Sequence, residues 1–251
     1  MATADGVPVA WGADTLPGDV YAPRIAQTTG AQLDAIAHKT GLTWRVPDAQ
    51  TPAEWRAALT RAPVRLDTLL ETLPHSVALA LDIRTDDAPL PVSSCVDAVL
   101  HAVFAAAERE HAPSRSLIFS SASPSACVAL NWKQPNYAVF FECHSTLAHD
   151  SASAVLPLES DPRQSSLAEA VRFAKGNNLI GVMADGHLLA RVPELVPTIK
   201  GAGLVLVSRD RIAPPPGAAA DAHGVLGAPA LDIHDGAFDG YVQDGIVHYQ
   251  S

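Results

Sequence analysis

The sequence predicts an α/β protein built from repeated strand–helix units on a parallel sheet. Two observations carry that prediction. Short apolar runs of strand length alternate with longer stretches of helical periodicity, the pattern of βα units whose buried parallel strands read as nearly continuous apolar segments. The length, 251 residues, is that of one eight-fold β/α barrel, and no shift in composition splits the chain.

Each element follows from its residues. Apolar runs place strands at 7–11, 77–83, 116–119, 138–142, 179–183, 203–207 and 240–242. A helix is expected over 94–109, where Val96, Val99, Leu100, Val103 and Phe104 recur at three- and four-residue spacing. Further helices are expected over 166–175 and 188–200. Segments 86–91 and 145–163 read as irregular connections. A Pro/Gly/Ala-rich loop insertion occupies 209–236, including Pro214-Pro215-Pro216-Gly217.

Charge and composition exclude several roles. A net charge of −10 without a Lys/Arg cluster lacks the cationic face that phosphate contacts require, so nucleic acid is not an expected partner. The first residues have no basic stretch leading into an apolar one, and no run of membrane-spanning length occurs. No membrane association is expected, and the location expected is intracellular, cytoplasmic or nuclear. Cys95, Cys127 and Cys143 are odd in number and widely spaced, which predicts buried thiols rather than disulfides or a zinc site.

Several segments carry a family resemblance. Asp5-Gly6-Val7-Pro8-Val9-Ala10 is similar to the D-G-V-P-V-V hairpin of glycerophosphodiester phosphodiesterases. Leu66-Asp67-Thr68-Leu69-Leu70-Glu71-Thr72-Leu73 and Ala78-Leu79-Ala80-Leu81-Asp82-Ile83-Arg84 follow in that family's order. The most specific match runs from Arg115 to Ser121 and from Cys127 to Phe141, with Asn131-Trp132-Lys133-Gln134-Pro135-Asn136 at its centre. This resembles the degenerate C-terminal domain of fungal phosphate-system positive regulatory proteins, which inhibit a cyclin–kinase pair. Leu195 to Leu204 and Phe238 to Val242 resemble the same group's last helix and closing strand.

The resemblance implies a TIM-type (β/α)8 barrel of the PLC-like phosphodiesterase kind spanning 1–251, N-terminally incomplete and lacking strands one and two. It implies a larger parent chain with N-terminal regulatory domains, and a cyclin–kinase complex as partner. Catalysis in the family resembles metal-assisted phosphoryl transfer with a histidine acid/base pair. The second histidine follows the D-G-V-P-V hairpin, and Gly12 and Ala13 stand there instead. Neither side chain can exchange a proton. Of the family's metal carboxylates, only Asp82 has a counterpart, with Arg84 in place of lysine.

One carboxylate holds a divalent cation weakly, so Asp82 is expected to pair with Arg84 rather than to ligate. No cofactor is expected; Mg²⁺ or Ca²⁺ enters only if the chain hydrolyses glycerophosphodiesters. Glu142, His144, His187 and His234 lie near strand ends or in loops without a fixed acid–base spacing. Asn131, Trp132, Lys133 and Gln134 are read as a short βα connection in which Trp132 packs under the rim, with a partner surface as the alternative.

Overall fold

The computed structural model describes residues 1–11, 24–45, 51–75, 77–85, 90–110, 115–143, 161–186, 189, 192–209, 238–243 and 246–249. The chain forms two compact units, Met1–Ala138 and Val139–Ser251.

The first unit begins with the D-G-V-P turn. Gly6 takes φ 83°, which a residue with a β-carbon rarely adopts. Thr3 N–H donates to the Val7 carbonyl across the turn. β1 (Val9–Ala10) then pairs antiparallel with β2 (Val64–Arg65). The Asp5 carboxylate accepts from the N–H of Gly30, the first residue of α1 (Gly30–Thr40). Hydrogen bonds from the Thr3 hydroxyl and then from Gly30 hold that carboxyl below its usual range. α1 carries a capping box between Thr29 and Gln32 and ends on Gly41 at φ 72°. Val9, Ile25 and Leu33 form a buried cluster against which Trp11 and Ile36 pack.

After α2 (Pro52–Leu59) comes α3 (Leu66–Thr72), whose Leu66, Leu69 and Leu70 fall on one buried face. The carbonyls at its exposed end are collected by one side chain. Arg115 donates to Leu70 O, Leu73 O, Pro74 O and Val77 O at 2.7 to 3.4 Å. A guanidinium fork thereby satisfies the acceptors a helix C-terminus leaves open.

β3 (Leu79–Asp82) runs parallel to β4 (Leu117–Ser121), joined through α4 (Val92–Glu110). Cys95, Val96, Val99, Leu100 and Val103 of α4 are buried at three- and four-residue spacing, as the sequence pattern requires. α5 (Pro124–Lys133) starts on Ser123, which accepts from Ala126 N–H, with Pro124 at the first helical position.

The second unit is a run of parallel neighbours. β5 (Ala138–Cys143) is followed by α6 (Pro162–Ser165), α7 (Leu167–Gly176), β6 (Gly181–Ala184), α8 (Leu195–Gly201), β7 (Val205–Ser208) and β8 (Gly240–Gln243). β5, β6, β7 and β8 pair in that order, all parallel, and β9 (Ile246–Tyr249) closes antiparallel on β8. Phe141, Val182 and Leu206 are fully buried, and the Phe141 and Phe173 rings meet edge-on at 4.8 Å.

Three readings need correction. The helix expected over 188–200 is interrupted by a turn at Pro193 and resumes as α8, because proline offers no N–H to continue a helix. The connection expected over 145–163 reaches into α6 at Pro162; residues 144–160 lie outside the described residues. Of the 209–236 insertion only Arg209 is described, and of 86–91 only Leu90 and Pro91.

Candidate functional site

Parallel βα units place their working residues at the carboxyl ends of strands. In the first unit a cleft of about 270 Å³ opens there, lined by Trp11, Leu66, Asp82 and Arg84 among others. Asp82 is the last residue of β3. Its Oδ2 accepts from Arg84 Nε at 2.8 Å, with side chains 33% and 45% exposed respectively. Among the described residues the single carboxylate of the cleft is thus committed to a cation just beyond the end of its strand. Ser121 of the neighbouring β4 is committed too: its Oγ donates to Ile83 O and accepts from Ser123 N–H.

These residues do not fit a divalent cation. Such an ion takes six or more oxygens, several from carboxylates. Among the described residues no three His, Cys, Asp or Glu side chains come together to hold a metal. Gly12 and Ala13, His144, His187 and His234 lie outside the described residues.

In the second unit the strand ends carry a different pair. Glu142, near the end of β5, is only 5% exposed and accepts from Arg209 Nη1 at 2.9 Å. The Arg209 backbone N–H donates to Ala184 O, which fixes the residue just beyond β7. Arg209 went unread in the sequence, although an arginine directly after an apolar strand and a glutamate at another strand's end are the available signal. Beside Glu142, burial, with the Asp185 charge, pushes the Cys143 thiol up to about 11. All three cysteines are buried.

The 131–134 string corrects two expectations. It is the last turn of α5 and the residue after it, not a short connection, and Trp132 is 83% exposed rather than packed under a rim. Ala126, Cys127 and Leu130 make the buried face, and Gln134 continues it, 2% exposed. Gln134 therefore offers no surface: its amide donates to Tyr137 O and accepts from Tyr137 N–H. Lys133 Nζ reaches Asp97 Oδ1 and Ser93 Oγ. The indole stands directly before two anchored residues, Lys133 and Gln134.

No described helix is long and apolar enough to cross a membrane. No family model matches the chain. It is 30% identical over 254 residues to the ankyrin repeat protein nuc-2 of Neurospora crassa, covering 82% of this chain and 24% of that protein. It is 30% identical over 180 residues to the phosphate system positive regulatory protein of Saccharomyces cerevisiae, covering 58% and 15%. A glycerophosphocholine phosphodiesterase of Candida albicans is 31% identical over 156 residues, covering 58% and 12%. The chain thus spans about a quarter or less of these relatives.

Among solved structures, an Oleispira antarctica phosphodiesterase in complex with sn-glycerol-3-phosphate superposes with TM-score 0.57 at 16% identity, covering 97% of this chain and 78% of that one. A glycerophosphoryl diester phosphodiesterase from Agrobacterium tumefaciens gives 0.55 at 17%, with the same coverage. The fold is therefore that of TIM-type α/β barrels, and the chain is a glycerophosphodiester phosphodiesterase-type domain, similar both to a fungal phosphate system positive regulatory protein and to a glycerophosphocholine phosphodiesterase.

Proposed function

We propose that this domain acts by binding rather than by hydrolysis, in a regulatory or scaffold role in phosphate-starvation signalling. The observation that carries this reading is the Asp82–Arg84 pair: the one described carboxylate at the β3 end is paired with an arginine two residues on instead of standing free for a metal. Gly12 and Ala13, in the place of an acid/base histidine, support it. So does similarity to a phosphate system positive regulatory protein.

The partner of this reading is a cyclin–kinase complex met inside the cell, in cytoplasm or nucleus, and N-terminal regulatory domains belong to the same parent chain. No cofactor takes part. The candidate contact is Trp132 with Asn131 and Lys133: an exposed tryptophan on an anchored helix end is the kind of residue that dominates binding energy.

A second reading has its own support, the 31% identity to a glycerophosphocholine phosphodiesterase. It makes the chain a hydrolase that releases glycerol 3-phosphate with Mg²⁺ or Ca²⁺. Phosphorus NMR of glycerophosphocholine incubated with the folded chain and either cation separates the two. The expected result is an unchanged substrate signal over hours. Growth of a glycerol 3-phosphate signal that chelation abolishes would establish the hydrolase instead.

A further inference from the structure

A second and larger cleft in the first unit, about 770 Å³, lies where α1 and α2 end. Its described polar lining is His38, Thr43, Trp44, Arg45 and Arg61. Each of these can donate a hydrogen bond and none is a carboxylate. That is notable in a chain with 27 Asp and Glu against 17 Lys and Arg, where a random patch would carry acid. Among the described residues no carboxylate pairs with Arg45 or Arg61.

A second observation points the same way. Among the described residues the Trp44 indole N–H is buried without an acceptor. Buried donors are almost always satisfied, and one that is not marks a missing partner. Cations near helix ends also answer the helix dipole, which accounts for His38 in the last turn of α1. It accounts neither for Arg45, which lies beyond the Gly41 cap, nor for the indole.

We propose that this cleft binds a small phosphate ester, with Arg45 and Arg61 on the phosphoryl oxygens and the organic part against Leu42 and Ala58. Two guanidinium forks and an indole N–H offer more donors than a carboxylate can accept, which favours a dianionic phosphoryl group. Free phosphate shares that chemistry, but the volume of the cleft is that of a site for a whole small molecule.

The test follows the tryptophan indole N–H signals of the full chain by proton–nitrogen NMR. There are four tryptophans, and Trp44→Phe identifies the signal of interest. Phenyl phosphate, inorganic phosphate and sodium chloride at matched ionic strength are titrated separately. The expected result is saturable movement of the Trp44 signal with phenyl phosphate, about tenfold weaker with inorganic phosphate and about tenfold weaker in Arg61→Gln and in Arg45→Gln. The other three indole signals should keep their dispersion, which certifies the fold of each variant. Equal affinity for inorganic phosphate would overturn the ester assignment. A stationary signal, or movement that follows ionic strength alone, would overturn the site.

Discussion

Gly181→Ala is expected to be the most damaging conservative substitution in the second unit. A β-carbon at Gly181 would lie 2.0 Å from the Val205 carbonyl oxygen and 2.8 Å from its carbon, both backbone atoms. Side-chain rotation cannot relieve such a contact, so β6 and β7 must separate. The register Gly181↔Val205, Val182↔Leu206 would be lost there, and with it the packing of two fully buried side chains. The cost is about 3 kcal/mol or more, and the melting temperature should fall by roughly 10 °C. Thermal denaturation followed by circular dichroism measures it. Gly176→Ala is the control, since a β-carbon there meets nothing within 4 Å. Equal melting temperatures for the two variants would mean that β6 and β7 are not packed as described.

The second large effect belongs to Arg209→Met. It removes the guanidinium that Glu142 accepts from while leaving that carboxylate 5% exposed. Arg209 is 32% exposed, so breaking this half-buried pair costs less than a fully buried one, about 2 kcal/mol, whereas replacing both sides by apolar groups is often neutral. The double variant Glu142→Leu with Arg209→Met is therefore expected to return to within about 1 kcal/mol of the parent. Denaturant titrations of the three proteins give the comparison. A single variant as stable as the parent would show that the pair does not hold the carboxylate.

Both predictions rest on contacts that no sequence pattern could supply. Strand existence was legible because runs such as 77–83 and 138–142 are apolar apart from one acid each, Asp82 and Glu142, and α4 was legible because its buried stripe repeats over about three turns. β2 was not, since two residues carry no period. α5 was missed although its cue was present: Cys127, Leu130 and Gln134 share one face, and Trp132 lies about 200° around the helix from Leu130. A large aromatic was assigned to the core on size alone, while spacing placed it outside. The interruption at Pro193 follows the same lesson, with apolar periodicity outweighing a missing N–H.

The candidate site was legible in its parts and not in its partners. Asp82 closes β3 and Arg84 follows two residues on, so their ion pair follows from two-residue spacing in extended chain. Glu142 and Arg209 are far apart in sequence, and only the β5, β6, β7 order brings them within reach. Donors at the second cleft come from α1, the segment after it and the end of α2, none of which stood out as a motif.

The three covered thiols make the folded chain chemically silent towards maleimides and other sulfur reagents. A single added sulfur, Trp132→Cys, would then be the one reactive handle on the described surface, able to carry a fluorophore or spin label to the end of α5. In the parent protein the same silence works as a clock, because the rate at which its own thiols become alkylated reads out how often the core opens.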